Sequence, residues 1–368
     1  RALHDFQTFG FNEDEQGRRV LDGMLKWTGA GTGDQINYRF AQTARTQRNR
    51  QNHLYPEGVF PFAHQVLTDH LSGKVDGRST RCQESRTCAK IFEANSSNEY
   101  WVKTGSLLHS DTHGRDLEDP DDVRYYLISG TSHGVGNPSN RGLCQQFLNP
   151  TSPYPALRAL LVALDQWVTD GTAPPTSRVP RQADGTAVMA EPHPGYLTGS
   201  VPQEDLGWPE IPGVTYTGLI TMRYHLDFGP AFDEEAIISN YPPSLDGRET
   251  YPTYVSSVDE DGNEVAGIRL PPVATPLATT TGWALRREGF GLNEGCEGSG
   301  QHISFATTRA ERLASDDPRL SLEERYGTHD DYVQGVAEAA RELMQERLLL
   351  QDDVQRYIDE ATASDILQ

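Results

Sequence analysis

The chain has no apolar run approaching the roughly 20 residues that a membrane-spanning helix needs, so no span of that kind is expected. Its 368 residues contain no internal repeat and no low-complexity tract, which excludes solenoid and propeller architectures. Basic residues are scarce: 32 Lys and Arg stand against 53 Asp and Glu, a formal charge of −21. That surface repels a phosphate backbone, which excludes nucleic acid as a partner and favours solubility. Cysteine is limited to four positions, and Cys82-x5-Cys88 has no neighbouring His or Cys pair, so it is a poor zinc signature. An even count suits two disulfides, Cys82 with Cys88 and Cys144 with Cys296. It thereby favours an oxidising compartment, extracellular or periplasmic. The hydrophobic fraction is low at 36%, but 15 Tyr, 12 Phe and 5 Trp supply large buried surfaces. With 34 Gly and 23 Pro, much of the chain must be loop and turn.

Along the chain, Leu3 to Phe9 has helical spacing and stops at Gly10. Val20 to Trp27 reads as a buried strand. The stretch 29–89 has little periodicity, and long inserts of this kind are usually lids or binding loops. Lys90 to Asn95 is a second strand, and Ser96 with Glu99 three residues later makes a capping box for a helix from Glu99 to His109. Val123 to Ser129 is the third strand. Strand, helix, strand at this interval predicts a parallel βαβ unit and an α/β fold class. A longer helix spans Ala156 to Val168. Beyond Gly171 the chain becomes proline-rich and irregular, with short strand-like runs from Tyr216 to Trp283. Thr253 to Val258 and Glu264 to Leu270, joined by Asp-Glu-Asp-Gly-Asn, predict a hairpin. Tyr332 to Leu350 and Asp352 to Ala363 predict two C-terminal helices. The expected organisation is a core over 1–170 with its insert at 29–89, a β-rich accessory or cap region over 171–290, and a helical region over 291–368 that packs on the core.

The segment with the most chemistry is Val123-Arg-Tyr-Tyr-Leu-Ile-Ser-Gly-Thr-Ser-His-Gly134. Open α/β sheets carry their chemistry at the carboxyl ends of strands, where His133 falls. Gly130-Thr-Ser-His-Gly134 also fits the Gly-x-Ser-x-Gly turn that presents a nucleophilic serine. Two readings compete: Ser132 is a nucleophile, or His133 is the general base for a serine elsewhere. The first is the weaker. Val-Gly-Asn-Pro-Ser-Asn-Arg-Gly after Gly134 does not start the helix an elbow requires, and Ser132 and His133 are sequence neighbours. A histidine merely satisfied in a polar loop is the bland alternative.

Several segments carry a resemblance to a known family. They are residues 10–19, Gly10-Phe-Asn-Glu-Asp-Glu-Gln-Gly-Arg-Arg19, then Asn37-Tyr-Arg-Phe-Ala-Gln42 and Asn95-Ser-Ser-Asn-Glu-Tyr-Trp101. The others are Gly130 to Gly134, residues 307–312 and Ser321-Leu-Glu-Glu-Arg-Tyr326. Together they resemble the alpha/beta hydrolase domain family over nearly the whole chain. The resemblance implies the C-terminal portion of an α/β-hydrolase parallel sheet and a serine hydrolase acting on carboxylic esters. It also implies that the nucleophile elbow immediately precedes the segment matching Arg1 to Phe6. The serine and the N-terminal half of the fold are thus expected upstream, as a missing partner of this chain. The alternative is a non-catalytic, hydrolase-like protein that binds or assembles through its surface.

The chain order serine, acid, histidine then assigns the base to His133 and the acid to Glu99, with Asp111 as the second choice. The competing reading of Glu99 is a simple capping residue, contributing on the order of 1 kcal/mol to its helix. Tyr38 and Arg39, in the long insert, are candidates to hold a carbonyl or carboxylate of a small-molecule ester. An arginine paired with one of the many acidic residues is the plainer reading of Arg39. No cofactor and no metal is expected.

Overall fold

The computed structural model describes residues 6, 8–30, 59–194, 198–235, 237–240, 243, 249–296 and 298–368. At its centre lies a three-stranded parallel sheet of β1 (Gly23–Trp27), β2 (Lys90–Ser96) and β3 (Val123–Ile128), in that spatial order. Ile91 of β2 pairs with Met24 of β1 and with Val123 of β3, and both ladders run in register for at least five residues. Nearly every residue of β2 and β3 is buried, as befits parallel strands covered on both faces.

Alternation divides the two faces. Met24, Ile91, Val123, Tyr125 and Leu127 point to a core shared with α1 (Ser97–Lys103), through Tyr100, Trp101 and Val102. Phe92, Ala94, Tyr126 and Ile128 point to the opposite core. There they meet α2 (Tyr154–Thr169), whose stripe of Ala156, Leu160, Ala163, Leu164 and Trp167 recurs at helical spacing. Trp167 stacks on Phe92 with ring centroids 5.7 Å apart. Two C-terminal helices, α3 (His329–Gln345) and α4 (Gln351–Thr362), extend that layer with Ala340, Leu343 and Val354.

The accessory elements are short antiparallel pairs. β4 (Phe147–Leu148), β7 (Ala278–Thr280) and β8 (Gln301–Ser304) form one small sheet, in the order β7-β8-β4. β5 (Ala187–Met189) pairs with β6 (Tyr254–Ser256). This corrects the expected hairpin. The turn at Asp259–Asn263 forms, with Asp259 N–H donating to Asn263 O at 2.8 Å, but the ladder beyond it is a single bridge, Val258 to Glu264. Burial decides the outcome. The fully buried Ile268 joins the outer edge of β3, where its N–H donates to Leu127 O at 2.7 Å, so residues 264–270 leave the hairpin to close the sheet. The helix expected from Glu99 to His109 begins earlier and stops at Lys103. Thr104 takes a left-handed conformation at φ 52°, and a 3₁₀ turn, Gly105–Leu108, follows. Of the expected first helix Phe6, Thr8 and Phe9 are described; Phe6 and Thr8 are helical, and Phe9 already stands in the turn that ends at Gly10.

Both expected disulfides are present. Cys82–Cys88 closes a six-residue separation and Cys144–Cys296 one of 152. Chain-entropy arithmetic gives about 5 kcal/mol for the long loop and about 2 kcal/mol for the short one. The Cys144→Ser/Cys296→Ser protein is therefore expected to lose more than twice the stability lost by Cys82→Ser/Cys88→Ser. Urea unfolding of the two double variants beside the wild type checks the ranking, and equal losses would contradict it.

Candidate active site

Parallel strands end on the same edge of a sheet, so the turns after β2 and β3 are neighbours by construction. Ser96 at the end of β2 lies in register with Ile128 at the end of β3. From Ser96 the chain turns straight into α1, which puts Glu99 one turn into the helix. From Ile128 it leaves through Gly130, at φ 62°, where a Cβ would lie 2.8 Å from Thr280 Oγ1 and 2.9 Å from Val273 Cγ2. Only glycine fits that left-handed, crowded position without displacing β7. Three residues later His133 comes back over the first turn of α1.

His133 Nδ1 and Glu99 Oε1 are 2.7 Å apart. Glu99 is wholly buried, while the imidazole is about half exposed. The carboxylate divides its work. Oε2 accepts hydrogen bonds from Ser96 N–H at 3.2 Å and from the Ser96 hydroxyl, closing the capping box, and Oε1 faces His133. The two readings of Glu99 are thus compatible, one oxygen for each. Lys103 Nζ, four residues on and on the same helix face, lies 3.4 Å from Oε1. Burial alone pushes the Glu99 carboxyl up. Lys103, the hydrogen bond and charge of His133, and the Ser96 hydroxyl outweigh it and hold the group down at about 2. An ionised carboxylate on Nδ1 favours the tautomer that leaves Nε2 as the acceptor.

The other candidates are arranged differently. Ser132 is buried and its hydroxyl donates to Gly134 O at 2.7 Å. No helix follows it; the chain runs through turns to β4. Asp111 caps its own turn, accepting from His113 N–H and Arg115 N–H at 2.9 Å each and pairing with Arg115 Nε at 2.7 Å. None of these bonds reaches the β3 turn, so the structure does not bring Asp111 to His133. Tyr38 and Arg39 lie outside the described residues.

Two residues that the sequence reading passed over belong to this region. Lys103 has a local signal, the Glu99-x3-Lys103 spacing on one helix face. Glu264 has none, because it arrives from more than 130 positions away. It is buried, its Oε1 accepts from Ser97 Oγ at 2.6 Å, and its Oε2 accepts from Gly130 N–H at 2.8 Å. Burial pushes its carboxyl up to about 7, against the pull of those two hydrogen bonds and of Arg269.

The two carboxyls act on stability in opposite senses. Glu99, depressed from 4.5 to about 2, contributes stability that is complete above pH 4.5 and lost as pH falls through 2. Glu264, raised from 4.5 to about 7, contributes stability that is complete below pH 4.5 and lost as pH rises through 7. Each amounts to about 3 kcal/mol. Across pH 4.5–7 the Glu264→Gln protein is therefore expected to show a flatter stability profile than the wild type. Urea midpoints at half-unit pH steps measure it; parallel profiles would refute the Glu264 assignment.

No curated protein and no solved structure matches the chain. Residues 1–359 match the family model described as Alpha/beta hydrolase domain. The strand-end pair of Glu99 and His133 accordingly stands in a hydrolase-like fold, and the chain belongs to the alpha/beta hydrolase domain family.

Proposed function

We propose that the protein is a serine esterase in which His133 is the general base and Glu99 the acid that orients it. The observation that carries this reading is the 2.7 Å contact of His133 Nδ1 with the buried Glu99, at the carboxyl ends of adjacent parallel strands. In the proposed reaction His133 Nε2 takes the proton of a serine hydroxyl as its oxygen attacks the ester carbonyl. The imidazolium that forms is stabilised by Glu99 and returns the proton to the departing alcohol. Water then repeats the cycle to release the acid and restore the serine.

The nucleophile in this proposal precedes Arg1. Among the described residues β1 pairs with β2 alone, which leaves its other edge open to a further strand. A parallel strand added there would end on the same edge of the sheet as the turns that carry Glu99 and His133. Ser132 is buried and its hydroxyl is engaged with Gly134 O, which argues against a nucleophile within the β3 turn. The natural full-length protein is therefore expected to be labelled by a fluorophosphonate at a serine outside residues 1–368, with loss of p-nitrophenyl ester turnover. Peptide mapping of the adduct decides it. A label on Ser132 would overturn the nucleophile assignment, and a folded protein with neither label nor turnover would favour the non-catalytic binding reading.

A further inference from the structure

We propose that Glu264 is a positioning residue that clamps the turn carrying His133 to the start of the helix carrying Glu99. The inference rests on the esterase reading for its kinetic part only.

The geometry is that of a two-armed bridge. One carboxylate oxygen accepts from Ser97 Oγ, two residues before Glu99, and the other from Gly130 N–H, three residues before His133. Both arms are short, at 2.6 and 2.8 Å, and the carboxylate is buried between them. The surrounding bonds leave this register few ways to relax. Asn98 N–H donates to Thr131 O at 3.3 Å, a long direct contact between the two segments. Asn149 Nδ2 donates to Gly130 O at 2.6 Å, and Asn98 Nδ2 to Gly282 O at 2.6 Å. A Cβ at Gly282 would lie 2.3 Å from Ser97 Oγ, so the backbone of 281–283 closes tightly over the Ser97 arm. Glu264 itself is held by the bridge from Val258 and by the strand edge that Ile268 forms on β3. Its position thus follows the central sheet rather than a surface loop.

The two arms account for a polar side chain here, since an apolar one could engage neither Ser97 Oγ nor Gly130 N–H. A buried carboxylate costs several kcal/mol when it lacks an opposite charge at contact distance, and an amide or an apolar side chain would avoid that cost. Arg269, the cation that acts on Glu264, makes its ion pair with Asp259 instead, at 2.7 Å. Here the geometry at stake is the 2.7 Å approach of His133 to Glu99. A general base displaced by about 1 Å loses on the order of 100-fold in rate.

The test uses the natural full-length protein with Glu264→Ala, Glu264→Gln and Ser97→Ala. Two readouts are taken: kcat and KM on a p-nitrophenyl ester, and the downfield proton resonance of the His133–Glu99 hydrogen bond, identified by its absence in Glu99→Gln. Glutamine can accept from Gly130 N–H and donate to Ser97 Oγ, so Glu264→Gln is expected to keep the resonance and most of kcat. Glu264→Ala is expected to lose the resonance and about 100-fold in kcat, with KM changed by less than about threefold. Ser97→Ala, with one arm removed, should fall between them, and it decides the matter if Glu264→Ala does not fold. An unchanged resonance in both Glu264→Ala and Ser97→Ala overturns the proposal. So does a Glu264→Gln protein as impaired as Glu264→Ala, since the charge rather than the two-armed contact would then matter. If the wild type shows the resonance but no ester turnover, the esterase reading fails and the resonance alone still judges the clamp.

Discussion

His133→Ala is expected to lower kcat for ester hydrolysis by the natural full-length protein by about four to six orders of magnitude. The size of the effect follows from what remains. In the proposed reaction the imidazole is the group that accepts the serine proton; without it attack proceeds from a neutral hydroxyl, and only binding and oxyanion stabilisation persist. The substitution is also a clean one. The ring is half exposed, and its side-chain hydrogen bond among the described residues is the one to Glu99. Glu99 keeps Ser96 and Lys103, so its charge stays partnered and the fold should survive. Steady-state kinetics together with the thermal unfolding midpoint separate the two effects. A kcat within tenfold of wild type would remove His133 from the mechanism.

Glu99→Gln is expected to cost about four orders of magnitude in kcat, the scale seen when a triad carboxylate becomes an amide. The reason is tautomeric. An amide presents N–H as readily as C=O toward Nδ1, so it no longer requires Nδ1 to carry the proton, and Nε2 is protonated in the competing form. The imidazolium that forms during attack also loses its nearest counter-charge. Lys103, 3.4 Å from Oε1 in the wild type, is then left without its partner carboxylate and disfavours a second positive charge beside it. Asp111→Asn is the matched control, because that carboxylate satisfies its own turn and Arg115. Equal losses in the two variants would point to general destabilisation rather than to loss of an orienting acid.

Much of the fold was legible in the sequence because its signals are local. Continuous apolar runs bounded by turn residues gave β2 and β3, a 3.6-residue stripe gave α2, and two amphipathic segments gave α3 and α4 within a few residues. Ser96 and Glu99 marked the start of α1 through the capping pattern, although its end at Thr104 required a left-handed residue that no propensity favours. An even cysteine count pointed to two disulfides, but four cysteines allow three connectivities, and the pairing is read from the fold.

By itself the sequence determined which residues stand at the ends of the parallel strands, and so which histidine and which carboxylates were available for chemistry. Only the tertiary structure decided which of them meet. Glu99 rather than Asp111 faces His133 because α1 follows β2 with no intervening loop, whereas Asp111 lies beyond the 3₁₀ turn and folds back on its own backbone. Residues 264–270 close the edge of β3 rather than completing a hairpin, because burying Ile268 and Leu270 against the central sheet outweighs a local ladder. That same choice delivers Glu264 between the two turns. Local patterns record the period of each segment; which edge a segment joins is set by the apolar area it buries against residues far away in sequence.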